Sequence, residues 1–128
     1  IGPTGVDLAF VGQMTYPGGG LAMISASFIS PYHTWIEICG SQGRLHLNFP
    51  FTGTDRERRM IYYPVDSRPV RITVPKKELY SGEVEDMHAA ILDGKQPYLS
   101  LAETRHHVRT ALALYEAART EKTVKLEV

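Results

Sequence analysis

Five histidines, one cysteine and a few close carboxylates are the groups in this chain that could do chemistry. The histidines are His33, His46, His88, His106 and His107. Neighbours on a helix point about 100° apart, so His106 and His107 do not readily share a metal ion. The chain has no H-x-H, no H-E-x-x-H and no cysteine pair, which are the spacings that hold zinc. No metal site is expected. His46 should lie opposite Glu37 on neighbouring strands. Such a pair could shuttle protons, but a cross-strand charge pair is the simpler reading. Cys39 has no obvious base beside it, and a nucleophilic thiol needs a lowered pKa and an open site. It reads as a small core or interface residue.

The glycines do not build a phosphate cradle. Gly18-Gly19-Gly20 joins strand to strand, with no helix N-terminus behind it. Gly40 and Gly43 flank a hairpin, and G-x-G-x-x-G is absent. Asp55-Arg56-Glu57-Arg58-Arg59 mixes signs and reads as a solvated loop before a phosphate site. Arg105, His106, His107 and Arg109 read as the polar outer face of a helix. Catalytic, cofactor-binding and metal residues are all expected to be absent from this chain.

The elements that position these groups follow from periodicity. From Trp35 to Phe51 two alternating stretches flank Gly40-Ser41-Gln42-Gly43. Ile36 and Ile38 share one side of the first stretch, with Trp35, Glu37 and Cys39 on the other. Leu45 and Leu47 alternate likewise with Arg44, His46 and Asn48. Period two marks a strand with one apolar face. A four-residue loop pairs Cys39 with Arg44, so Ile38 meets Leu45 and Ile36 meets Leu47. A slip by one residue would bury the polar set, so one register is specified.

Val6 to Tyr16 reads as a long strand, Pro17 to Gly20 as a turn and Leu21 to Ser30 as the returning strand. Leu21 to Ser30 is apolar on both parities and should be covered on both sides. Thr52 to Glu57 is a polar loop. Arg59 to Tyr63 and Val70 to Val74 make six strands. Val84, Met87, His88 and Ile91 then follow helical spacing, with acidic residues in the first turn and Gly94 as the stop. Ser100-Leu101-Ala102-Glu103 is a capping box opening a helix to about Thr120. Its stripe is Leu101, Val108, Ala111, Leu112, Tyr115 and Ala118, widened by Ala113, Leu114 and Ala117. Lys122 to Val128 could be a last strand or a tail.

Strands first and helices second give an α+β class: an open, mostly antiparallel sheet of about six strands, with two C-terminal helices on one face. The other face, near Leu21, Met23 and Trp35, is expected to meet another copy of the chain. The interface candidates are Trp35, Glu37, Cys39, Arg44, His46 and Asn48.

The 128 residues suggest a single domain, 1–128. A chain of that length can bury roughly two thirds of its unfolded surface, enough for a core. Apolar residues make up 43% and charged residues 22%, an ordinary globular balance. Lys plus Arg and Asp plus Glu both number 14, so the net charge is zero. That argues against nucleic-acid and anionic-membrane partners. One cysteine excludes an internal disulfide and fits a reducing, cytoplasmic setting. No apolar run approaches the roughly 20 residues of a spanning helix. The chain starts at Ile1 on a strand-like pattern and reads as a piece of a longer protein, with a processed whole protein as the alternative.

Gly19-Gly20-Leu21-Ala22 leading into Ser25-Ala26-Ser27-Phe28, then Trp35-Ile36-Glu37-Ile38 with Gly40-Ser41-Gln42-Gly43-Arg44-Leu45, resembles the C-terminal domain of the Gfo/Idh/MocA oxidoreductases. The close resembles it too: Tyr80, Glu83-Val84-Glu85-Asp86, Ala90-Ile91, Gly94, Pro97, Ser100, Ala117-Ala118 and Val124-Lys125-Leu126. The resemblance implies a large open sheet backed by helices, following a Rossmann domain that binds NAD or NADP. It implies pairing of subunits through the open sheet face, and hydride transfer on sugars, inositols and related hydroxy compounds. The family's E-K-P lysine belongs to the nucleotide domain; Glu121-Lys122-Thr123 is at the wrong end and lacks the proline. The family's D-x-x-x-H residues lie before the start of this chain. The expectation is a substrate and oligomerisation domain, silent in isolation, with NAD or NADP bound only by the full-length protein. A stand-alone dimeric binding module and a piece of a nicotinamide-dependent glycoside hydrolase are the alternatives.

Overall fold

The computed structural model describes residues 2–52, 58–75 and 77–126. Its elements are β1 (Ala9–Thr15), β2 (Leu21–Ser27), β3 (Trp35–Gly40), β4 (Gly43–Asn48), β5 (Arg59–Pro64), β6 (Val70–Ile72), α1 (Ser81–Leu92) and α2 (Leu101–Thr120). The α+β class, the six antiparallel strands and the two C-terminal helices match the expectation from periodicity. The strands do not form one ladder, however. β1 and β2 make a two-stranded sheet, and β3-β4-β5-β6 make a four-stranded one. The chain correspondingly divides into two compact units, Ile1–Ser30 with Lys95–Val128, and Pro31–Gly94.

The break after β2 has a local cause. Ser27 Oγ accepts hydrogen bonds from the backbone N–H of Ile29 and of Ser30, and from the Ser30 hydroxyl. A serine that binds its own downstream backbone offers an alternative to the ladder. β2 therefore ends at Ser27, not at Ser30. β1 starts at Ala9 because a turn precedes it, with Gly2 N–H on Val6 O and Gly5 at φ 81°. β6 stops at Ile72, which faces Met60, one residue from the start of β5.

In the first unit α2 lies on the even face of β1. Phe10 and Tyr115 meet at 5.3 Å between ring centroids, and the Tyr115 hydroxyl donates to Asp7 Oδ1 at 3.0 Å. A Cβ on Gly12 would stand 3.1 Å from Leu114 Cδ2. The partly covered side of α2 is thus Thr110, Ala113, Leu114 and Ala117. This corrects the expected stripe. Leu101, Val108 and Leu112 are exposed, and the contact is made by Tyr115 of the stripe together with Leu114 of its widening. The capping box is present: Ser100 Oγ accepts from Glu103 N–H, and Glu103 Oε2 accepts from Ser100 N–H. Those bonds hold the Glu103 carboxyl below the usual range.

In the second unit the β3–β4 register is the expected one: Cys39 faces Arg44, Ile38 faces Leu45 and Ile36 faces Leu47. Gly40 and Gly43 also pair, so the turn tightens to two residues. Gly43 has φ 147°, and a Cβ there would collide with the Tyr63 carbonyl oxygen and reach Pro64 Cα at 3.0 Å. β5 packs too closely for any side chain at that position. α1 has no side-chain cap, and it ends before Gly94 at φ 64°. Its Val84, Met87 and Ile91 are exposed. Residues 122–126 are not strand; the last two lie outside the described residues, as does most of the expected 52–57 loop.

The expected core does not form. Among the described residues no apolar side chain is fully buried, and Thr52, at 6% exposure, is the one buried residue. The chain exposes 10990 Å². A folded chain of 14.3 kDa exposes about 6,800 Å², and two separate globules of half that mass about 8,200 Å². Both sheets leave apolar side chains open: on the four-stranded sheet Ile38 is 62% and Val70 52% exposed. Val11 is 72% and Met23 76% exposed on the odd face of β1–β2.

Candidate functional site

The six interface candidates come together on one face of the four-stranded sheet. Trp35, Glu37 and Cys39 stand on β3, facing Asn48, His46 and Arg44 on β4. The register continues onto β5, where Arg44 faces Tyr63, His46 faces Ile61 and Asn48 faces Arg59. Ile61 faces Arg71 on β6. Ile36, Ile38, Leu45, Leu47, Met60, Tyr62, Val70 and Ile72 alternate onto the opposite, apolar face.

Glu37 and Arg44 organise the polar face. Arg44 Nη1 donates to Glu37 Oε2 at 2.6 Å on the diagonal between the two strands. The guanidinium also lies 4.0 Å above the centre of the Tyr63 ring, a cation–π placement. The arginine holds the Glu37 carboxyl below its usual range, and the carboxylate raises Arg44 in turn. His46 Nδ1 is 3.6 Å from Glu37 Oε2, too long for a hydrogen bond. That nitrogen is shielded from solvent and has no partner. The imidazole stacks on Trp35 at 6.1 Å between centroids. Cys39 is exposed, with its sulfur 3.9 Å from Glu37 Oε1. Asn48 Oδ1 accepts from Arg59 N–H and so fastens β4 to β5.

Glu37 is committed to Arg44, and a carboxylate with a depressed pKa is a poor proton acceptor. The cross-strand charge pair of Glu37 is with Arg44, at 2.6 Å, and His46 stands farther away at 3.6 Å. Arg44 is the cation that pairs with Glu37 on this face. No group of three His, Cys, Asp or Glu residues that could hold a metal exists among the described residues. The chain's glycines do not fit a nicotinamide cofactor. Gly18 and Gly19, at φ 87° and 86°, turn β1 into β2, with Tyr16 N–H on Gly20 O and Gly19 N–H on Tyr16 O. Gly40 and Gly43 close a hairpin. No step through that cofactor follows from these residues.

Arg105, His106, His107 and Arg109 are exposed along α2, as expected of a polar outer face. Asp55, Arg56 and Glu57 of the mixed-sign run lie outside the described residues; Arg58 Nη2 donates to Lys77 O. No helix among the described residues is long and apolar enough to cross a membrane. The sequence reading missed Arg59, Ile61, Tyr63 and Arg71 as members of the face. Their signal was present in the alternation of Arg59, Ile61 and Tyr63 along β5.

Residues 3–126 match the family described as "Oxidoreductase family, C-terminal alpha/beta domain". The D-xylose 1-dehydrogenase (NADP(+)) 2 of Haloferax volcanii is 30% identical over 123 residues, which are 96% of this chain and 38% of that protein. The chain therefore spans little more than a third of the length of that relative. The order of the strands and helices, the β3–β4 hairpin and this match agree, and the chain belongs to the Gfo/Idh/MocA oxidoreductase family, whose C-terminal domain it matches.

Proposed function

We propose that the chain, 1–128, is the C-terminal substrate and oligomerisation domain of a nicotinamide-dependent dehydrogenase. The whole protein acts on a sugar, an inositol or a related hydroxy compound. NAD or NADP is held by a Rossmann domain outside these residues. This domain pairs copies of the protein through the polar face of Trp35, Glu37, Cys39, Arg44, His46 and Asn48, and it forms part of the wall on the substrate side. The observation that carries the reading is the likeness, across 96% of the chain, to a relative named as an NADP-dependent D-xylose dehydrogenase. The surplus of exposed surface supports it, since an isolated domain has no use for so much open apolar area.

The chemistry assigned to the whole protein is oxidation of a hydroxyl-bearing carbon, with hydride passing to the nicotinamide. This domain's residues bind and orient. The test is an assay of the full-length protein with pentoses, hexoses and inositols, following near-ultraviolet absorbance of the reduced nicotinamide with NADP and with NAD separately. Turnover of at least one polyol is expected, and none from the 128-residue chain alone. Cleavage of a glycoside without net reduction of the nicotinamide would replace this reading with the hydrolase alternative.

A further inference from the structure

His46 holds a position on the polar face that the ion pair beside it does not explain. Its Nδ1 is shielded from solvent and has no hydrogen-bond partner. That atom stands 3.6 Å from Glu37 Oε2, the same oxygen that takes Arg44 Nη1 at 2.6 Å. The rest of the ring is open: the side chain is 31% exposed, and one face stacks on Trp35 with 21° between planes. A shielded polar atom without a partner calls for an explanation. An imidazole has a ready one, because it ordinarily changes charge between about pH 5 and 8.

The groups around the ring set what a proton does there. Glu37 is directly across on β3, between Trp35 and Cys39. Arg44 and Asn48 flank His46 along β4. On β5 Ile61 is directly across, between Arg59 and Tyr63, and Arg71 on β6 faces Ile61. Arg59 and Arg71 hold interactions of their own, and Arg44 lies over the Tyr63 ring. Glu37 is thus the anion that meets the ring. Arg44 holds its carboxyl below the usual range, so it keeps its charge where an imidazole titrates.

A neutral imidazole carries one N–H and the charged ring carries two. Once charged, the ring presents Nδ1–H to a carboxylate it already faces. Histidine χ2 is a soft torsion, and a charge-assisted bond would close the gap to about 2.8 Å. Glu37 Oε2 then serves two cations, and the group of Glu37, Arg44 and His46 passes from balanced charge to net positive. The adjacent Trp35 ring favours the imidazolium as well. We propose that His46 is a proton-operated switch on this face: charged, it shares Glu37 Oε2 with Arg44, and copies that pair through the face when it is neutral come apart. The inference rests on the proposed pairing of copies. In the pair this face loses water, and an added charge is penalised by desolvation and by its like on the other copy. The free copy therefore binds the proton more readily than the pair. Pairing is strong above the imidazole range and is lost as pH falls through it.

The experiment is light scattering of the full-length protein at about pH 8 and about pH 5. The wild type should associate at least about tenfold more weakly at the acid pH. His46→Gln takes no proton and should associate equally at both. His46→Phe, which keeps the ring stacked on Trp35, is the second uncharged variant and should behave alike. A wild-type change of less than about twofold, or the same acid loss in both variants, overturns the switch. If the wild type is a monomer at both pH values, the pairing fails, and the part of the tryptophan fluorescence that Trp35→Phe removes tests the switch by itself. A pH-dependent Trp35 signal abolished by His46→Gln supports rearrangement at the ring. A signal that ignores pH, or that persists in His46→Gln, overturns it.

Discussion

Replacing Gly43 with alanine tests the geometry that sets the polar face. Gly43 pairs with Gly40 at the head of the β3–β4 hairpin and with Pro64 on β5. It adopts φ 147°, and a Cβ would overlap the Tyr63 carbonyl oxygen. Backbone strain of this kind costs about 1–3 kcal/mol in a side-chain-bearing residue. Overpacking against a neighbouring strand adds about 1–3 kcal/mol. A loss of about 3 kcal/mol is therefore expected, more than a hundredfold in the folding equilibrium. At a urea dependence of about 1–3 kcal/mol per molar, the midpoint should fall by about 1–3 M. The assay is urea unfolding of the 128-residue chain, followed by the fluorescence of Trp35, its one tryptophan, which sits in the same sheet. Gly40→Ala is the control, because nothing lies within 4 Å of its added carbon. Its effect should stay within about 0.5 kcal/mol. If Gly43→Ala also leaves the midpoint in place, β5 does not press on β4 as described and Arg44 is not held over Tyr63 by that packing.

Other outcomes follow from single contacts. Ser100→Ala removes one half of the α2 capping box and should cost about 1 kcal/mol, read as a lower thermal midpoint. The Tyr115 hydroxyl donates to Asp7, and that bond pushes its pKa upward. The folded state thus keeps this proton longer than the unfolded state. The stabilisation is complete below the ordinary tyrosine value of about 10 and is lost as pH rises through the raised folded value. Tyr115→Phe should remove that alkaline loss from a stability–pH curve. Glu37 has the opposite sign: Arg44 depresses its pKa, so its contribution is present above the ordinary carboxylate value and is lost as pH falls through the depressed one. Glu37→Gln should flatten that acid limb; an unchanged limb would mean the ion pair does not form in solution.

Much of this fold is legible in the residues because two constraints agree. At the β3–β4 hairpin the alternation of Ile36 and Ile38 with Leu45 and Leu47 and the glycine-bounded turn select the same register. The Ser100–Glu103 box and Gly94 likewise set helix ends by local bonds alone. The division into two sheets is less legible. Ile29 continues the apolar pattern of β2, but the Ser27 hydroxyl captures the backbone donors of Ile29 and Ser30, and periodicity does not report that competition. α2 is apolar on two sides, so its pattern admits either face. The choice is made by Gly12, whose missing side chain leaves room for Leu114. Of the sites, the six polar-face residues alternate with the apolar set on each strand and meet through the register, so they are visible at once. The turn after β4 is not, because the positive φ of Phe49 has no signature in residue type.

Under the proposed self-association the polar face constrains how two copies meet. In a two-fold arrangement each residue meets a partner that meets it back. Arg44 of one copy cannot be laid on Arg44 of the other, nor Glu37 on Glu37, because like charges in contact repel. The copies must be offset, so that Glu37 of each approaches an arginine of the other, with Trp35 as the aromatic anchor, 51% exposed and ready to be covered. A stable pair covers about 800 Å² on each copy, well within the surplus surface of this chain. Arg44→Glu in the full-length protein should abolish the Glu37–Arg44 bond and place carboxylates side by side, giving monomers in light scattering. Trp35→Ala should weaken association without changing its salt dependence. A dimer that survives both substitutions would move the interface off this face and onto the apolar surfaces that remain open.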